Sequence, residues 1–306
     1  MGIVKVCLEA NKPLTLQETQ CVLYGHIYAG KRGFSLQLSA AEEEPVDEQL
    51  CKENVLWPLK WLGIACDFED GLYGLQQSKN RHRKYLELLC QLSMLAGKLR
   101  QEAEKTYLLS AAGKELLLKT GDRINPLAAA IFTDILLAVD VVVVAEAAEE
   151  YEFWTAEITN LLGRKRPEIL LVPPMLPELG ESALEHYHQQ GYLPEGMKHF
   201  LTAAGNSSDC NPDWQGDMAW FSFEAAAANK EILTVAKLNQ INAKYMEACT
   251  SEQIAFMAMP YLVAEGRISH RLSMPEMREL VTKIQGLRGR LHYAGEVVKL
   301  AAEAKI

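Results

Sequence analysis

Residues 139–144 read Val-Asp-Val-Val-Val-Val, and this nearly unbroken β-branched run constrains the fold more than any other stretch. Such side chains suit a pleated strand, and a strand without polar alternation must be covered on both faces, as in a parallel sheet between layers of helices. Two further runs fit the same sheet. Residues 4–8 and 34–38 are short and apolar, and residues 14–29 between them place Leu16, Val22, Leu23 and Ile27 on one helical face. Strand, helix and strand in this order open a βαβ unit. A helix at 147–162, stopped by Gly163, leads to a buried strand at 169–172 before Pro173 and Pro174.

The middle of the chain reads less clearly. Residues 42–62 turn from polar to helical, with Trp57 and Trp61 four apart, as a pair packing a helix onto the sheet. From Ser78, the positions Tyr85, Leu88, Leu92, Leu95 and Leu99 follow a helical period, while Lys79, Arg81, Arg83 and Lys84 form a solvated basic start. Residues 97–124 are charged, with a weak helix at 116–118 and no strand pattern; residues 128–137 read as an apolar helix. Beyond Pro177 the pattern is helical at 181–190, 194–204, 223–234, 237–248 and 251–263, with an exposed loop at 206–216. Ser273-Met274-Pro275-Glu276 has capping-box spacing and opens one long last helix, with Met277, Leu280, Ile284, Leu287, Leu291 and Val298 inward.

Composition narrows the function classes. With 49% hydrophobic and 23% charged residues the chain can bury a sizeable core. No apolar run reaches the roughly 18 residues of a membrane span and no basic-then-apolar leader opens the sequence, so a cytoplasmic protein without membrane contact is expected. Seven scattered cysteines (Cys7, Cys21, Cys51, Cys66, Cys90, Cys210, Cys249) contain no Cys-x-x-Cys pair, which suggests core thiols rather than disulfides or zinc. A net charge of −9 argues against DNA and, more mildly, against RNA. His186 and His188, two apart on a helix, face different ways and make no metal pair.

Three blocks in order resemble the class I glutamyl-tRNA synthetases. They are Trp61-Leu62-Gly63-Ile64 with Gln76-Gln77-Ser78-Lys79 and Lys84-Tyr85; Gly191-Tyr192-Leu193-Pro194-Glu195; and Lys237-Leu238-Asn239-Gln240-Ile241-Asn242-Ala243-Lys244-Tyr245. The resemblance implies an α/β fold: a Rossmann-type parallel sheet domain over residues 1–178, followed by an all-helical stem-contact-like domain over 179–264. It implies a shortened insertion near 97–125, where relatives bind the tRNA acceptor end, and makes 265–306 the remnant of an anticodon-binding region.

The family's chemistry can be sought residue by residue. Its His-x-Gly-His motif, which holds ATP at the start of the first helix, falls on Thr15-Leu16-Gln17-Glu18, so Thr15, Gln17 and Glu18 are vestigial pocket positions and a carboxylate faces where polyphosphate would lie. The lysine-rich mobile signature has no counterpart between Pro177 and Gln190. For glutamate recognition, the family's first-strand arginine falls on Lys5, which lacks the bidentate fork; a second-strand glutamate falls on Ser39, and a further arginine on Val144. Glu146 and Asp134 match acidic family positions, and both are expected as caps or surface carboxylates. The preferred reading is a non-catalytic pseudo-synthetase with no catalytic residue, metal or cofactor, binding an unknown protein partner or small ligand. One alternative is an ATP- and Mg-dependent glutamate–tRNA ligase, or related amino-acid ligase, with an unusual site. The other is a tRNA-binding accessory, less favoured, using Lys79, Arg81, Arg83, Arg164, Lys165, Arg166 and the C-terminal Arg267, Arg271, Arg278, Arg288 and Arg290.

Overall fold

The computed structural model describes residues 2–40, 47–64, 78–95, 99–103, 106–120, 123–145, 149–205, 218–229, 232–301 and 306. Its organising layer is a parallel sheet of β1 (Ile3–Leu8), β2 (Ser35–Ala40), β7 (Val141–Ala145) and β8 (Glu168–Val172), in the order β2-β1-β7-β8. Val4 lies beside Leu36 on one side and Val141 on the other, and Val143 beside Leu170. Val141, Val142 and Val143 are all buried, as a strand covered on both faces requires.

Helix α1 (Leu16–Arg32) covers one face. Its Leu16, Val22, Leu23 and Ile27 are wholly buried, and Gly25 sits so close that a Cβ there would stand 3.0 Å from both Val6 and Leu36 side-chain carbons. Gly33, at φ +65°, closes the helix in the left-handed conformation and releases the chain into β2. The opposite layer holds α4 (Ser78–Leu95), α5 (Pro126–Leu136) and α6 (Glu149–Leu161), which share a core of Tyr85, Leu88, Leu92, Phe132, Trp154 and Ile158. Before α4, a short α2 (Glu48–Cys51) runs through one π turn, Lys52–Leu56, into α3 (Trp57–Trp61).

Residues 97–124 depart from expectation. They carry an antiparallel meander, β3 (Leu99–Ala103), β4 (Thr106–Ala111), β5 (Lys114–Thr120) and β6 (Arg123–Ile124), in the order β3-β4-β5-β6. Ala111 pairs with Lys114 across Ala112 (φ +49°) and Gly113 (φ +78°), a two-residue turn with both centres left-handed. Leu109, Leu116 and Leu118 join the α4–α6 core, so burial of a leucine face outweighs weak strand propensity.

After β8 come α7 (Pro177–Gly180), α8 (Leu184–Gln190), α9 (Pro194–Leu201), α10 (Phe223–Ala228), α11 (Val235–Ala248), α12 (Ser251–Ala264), α13 (Met274–Gln285) and α14 (Val297–Leu300). The helices expected at 181–190 and 194–204 are each three residues shorter, and two others stop well short of expectation. The stretch opening at Phe223 ends at Ala228, where the Asn229 side chain turns to the Ala204 carbonyl (3.2 Å), and Thr234 starts a new helix. The last helix stops at Gln285: Gly286 and Gly289 break it, and Leu287 and Leu291 reach the same core from irregular backbone. The Ser273–Glu276 capping box is present. Of the pair Trp57 and Trp61, Trp61 packs against the core that contains the sheet's inner face, while Trp57 does not join it. Both meet His188 edge-on, at 4.6 and 5.0 Å between ring centres, and Trp57 stays 46% exposed.

Candidate functional site

In an open parallel sheet a crevice forms where neighbouring strands lead their connections to opposite faces, outside the carboxyl ends. Here β1 has β2 on one side and β7 on the other, so the crevice opens beyond Leu8 and Ala145. Two groups of side chains border it.

The first lies at the amino end of α1. Thr15 caps the helix, its Oγ1 accepting from the Glu18 amide (3.2 Å). The Glu18 carboxylate in return accepts from the Thr15 amide (2.9 Å), the Thr15 hydroxyl (2.8 Å) and the Glu9 amide beyond β1 (3.0 Å). A helix amino terminus attracts an anion through free N–H groups and its dipole; Glu18 supplies that anion from within the chain. Gln17 closes the adjoining space, donating to Gln20 Oε1 (3.1 Å) and the Pro173 carbonyl (3.4 Å) while its Oε1 accepts from the Met175 amide (2.8 Å). The chain after β8 is laced across this end: the Leu16 amide donates to the Ser182 carbonyl (2.9 Å) and the Leu184 amide to the Leu14 carbonyl (2.8 Å).

The second group lies on the α5 and α6 side. Strand alternation points Lys5 and Cys7 away from α1, and Lys5 forms an ion pair with Asp134 of α5, the two side chains 2% and 0% exposed. Asp134 also accepts from the Tyr151 hydroxyl of α6, and Tyr85 is joined to Thr133 (2.5 Å). Burial works against the Lys5 ammonium, but Asp134 and the nearby Cys7 outweigh it and its pKa stands above the usual value. Burial raises Asp134, with Lys5 and Tyr151 pulling the other way; burial and Asp134 together push the Tyr151 phenol far upward. Asp134 is therefore not a cap or surface carboxylate. An isolated ammonium cannot stay dry in the sheet, and the α5 carboxylate is what neutralises it. Ser39, beside Cys7 in register, is 8% exposed, and its hydroxyl has no hydrogen-bond partner among the described residues. Glu146 lies outside the described residues.

No family model matches the chain. Over 147 residues it is 26% identical to the glutamate–tRNA ligase of Desulforamulus reducens, a match covering 47% of this chain and 29% of that ligase. The ligase of Carboxydothermus hydrogenoformans is 27% identical over 150 residues, covering 48% of this chain and 30% of the ligase. Over about half its length the chain is similar in sequence to glutamate–tRNA ligases. The match spans less than a third of each relative's length. Two solved structures share the fold at a TM-score of 0.69 and 13% identity. One is a glutamate–tRNA ligase from Elizabethkingia meningosepticum in complex with its amino acid, aligned over 99% of this chain and 79% of that one. The other is the glutamate–tRNA synthetase of Elizabethkingia anophelis, over 97% and 80%.

Set against the synthetase motifs, Thr15, Gln17 and Glu18 do gather at one helix end, and Lys5 and Ser39 gather on the other side of the crevice. Reading the sequence missed two participants, Cys7 and Tyr151, and the capping role of Thr15 and Glu18. Cys7 could have been found by alternation from Lys5, and the Thr15–Glu18 box by its Thr-x-x-Glu spacing. Tyr151 carries no local signal, because only the packing of α6 against α5 brings it to Asp134.

Proposed function

We propose that this chain is a cytoplasmic binding module on a glutamyl-tRNA synthetase fold that does not form aminoacyl adenylate, and that it engages a small ligand or a protein partner. The observation that carries this reading is the Glu18 carboxylate, which takes up hydrogen-bond donors at the α1 terminus and repels any polyphosphate brought there. The absence from the sequence of both ATP motifs points the same way. The test is exchange of labelled pyrophosphate into ATP with Mg present, using each of the twenty amino acids, with and without bulk tRNA. No exchange above background is expected; exchange with glutamate or any other amino acid overturns the reading. tRNA is a less favoured partner at a net charge of −9, although residues 265–306 hold eight Lys or Arg against five Glu. A salt-sensitive gel shift of tRNA at low ionic strength would reverse that preference.

A further inference from the structure

Helix α12 is apolar on every side, which a helix at a protein surface seldom is. Its Ile254, Ala255, Ala258 and Leu262 are buried in one cluster with Leu280 and Ile284 of α13. The opposite side holds Phe256, 64% exposed, with exposed Pro260 and half-buried Met259 and Val263. Spacings of three and four residues set these in one stripe, and no residue from Gln253 to Ala264 is charged. The outward side of neighbouring α13, by contrast, carries Glu276, Arg278 and Glu279. Two exposed charges frame the α12 stripe. Glu252 stands one turn before Phe256, and Arg267 stands four residues beyond Val263, held at the helix end by its amide, which donates to the Leu262 carbonyl (2.8 Å). Neither side chain has an ion-pair partner among the described residues. An acid before the stripe and a base after it make the stripe complementary to a copy of itself run antiparallel, and not to one run parallel. Turned about a two-fold axis between Met259 and Pro260, a second copy sets its Val263 against Phe256 and its Arg267 against Glu252. Both contacts occur twice, and the two helix dipoles oppose.

We propose that the chain forms a two-fold homodimer through antiparallel packing of α12, with Phe256 seated against Val263 and the Glu252–Arg267 pairs at the rim. The partner is a second copy of this chain. A single helix pair lies at or below the small end of specific interfaces, roughly 1,200 Å² in total, so the dimer dissociates at about micromolar concentration. The dimer face is separate from the crevice, and the result of pyrophosphate exchange does not bear on it.

Analytical ultracentrifugation of the full chain, from submicromolar to high-micromolar concentration at low salt, reads the mass. The wild type should pass from one chain to two within that range. Phe256→Glu should stay a single chain throughout, with the circular dichroism and thermal midpoint of the wild type, because the ring it replaces is largely exposed. Glu252→Arg and Arg267→Glu should each self-associate several-fold more weakly, since like charges then meet at both ends of the stripe. Mixed in equal amounts, these two variants should form a heterodimer about as strong as the wild-type dimer, because each reversed charge meets its opposite. A single chain at every wild-type concentration, as when a different protein or a further segment of a longer chain covers this side, overturns the proposal. A dimer indifferent to Phe256→Glu, or a mixture no tighter than its two components, overturns it as well.

Discussion

Lys5→Met isolates the electrostatics at the heart of the sheet. The substitution keeps the volume and removes the ammonium, leaving the Asp134 carboxylate, 0% exposed, with Tyr151 as its donor. Removing one member of a buried ion pair costs about 3–5 kcal/mol, because the remaining charge is desolvated and unmatched. At about 2–4 °C per kcal/mol for a chain approaching this size, the thermal midpoint should fall by roughly 10 °C. Burial already raises Asp134, and losing Lys5 removes its largest opposing influence. A carboxyl raised in the folded state binds more protons there than in the unfolded state, so the variant loses stability as pH rises through the folded pKa. The deficit against wild type should therefore be larger at pH 8 than at pH 5. Replacing both partners, Lys5→Met with Asp134→Leu, should recover most of the loss, since two apolar groups leave no orphaned charge. Calorimetric melts of the four species at the two pH values complete the cycle. A Lys5→Met deficit under about 1 kcal/mol, or a double variant as weak as the single, would refute the account.

Other outcomes are expected. Thr15→Ala combined with Glu18→Ala removes both halves of the α1 cap and should cost about 1–2 kcal/mol by urea denaturation. Leu118→Ala in the meander, fully buried beneath α4–α6, should cost about 2–5 kcal/mol, whereas Leu117→Ala, on the exposed face, should cost under about 1 kcal/mol. Burial, helped by Lys198, lowers the pKa of His26, so the folded state holds fewer protons there than the unfolded chain. Stability should consequently drop as pH falls through the ordinary imidazole range, and His26→Gln should flatten that part of the melt profile. Trp57→Ala should change the tryptophan emission yet leave the midpoint within a few degrees, because its ring is half exposed against His188.

Much of the parallel layer was legible because its residues carry their own period. The valine run, the inward face of α1 and the Ser273–Glu276 cap all follow from local stereochemistry, and each lies within a few residues of its expected place. The meander was not legible. Leucine, lysine and glutamate favour helix locally, and Ala112-Gly113 is a weak turn signal; the strands exist because Leu109, Leu116 and Leu118 find a core built by α4, α5 and α6. The single long last helix failed for the opposite reason. Its apolar spacing continues through Gly286, but spacing records which residues are buried, not whether the backbone between them stays helical.

The candidate site divides along the same line. Composition and order along the chain determined that the first helix opens on Thr15-Leu16-Gln17-Glu18, without histidine or glycine, and that Lys5 stands on the first strand. Only tertiary structure decided what those residues do. Glu18 turns back onto its own helix and onto Glu9, and Lys5 meets an α5 carboxylate 129 positions further along the chain. A lone charge in a sequence has no sign of its fate; its energy is set by whichever partner the fold carries to within a few ångströms, and by how much water is left between them.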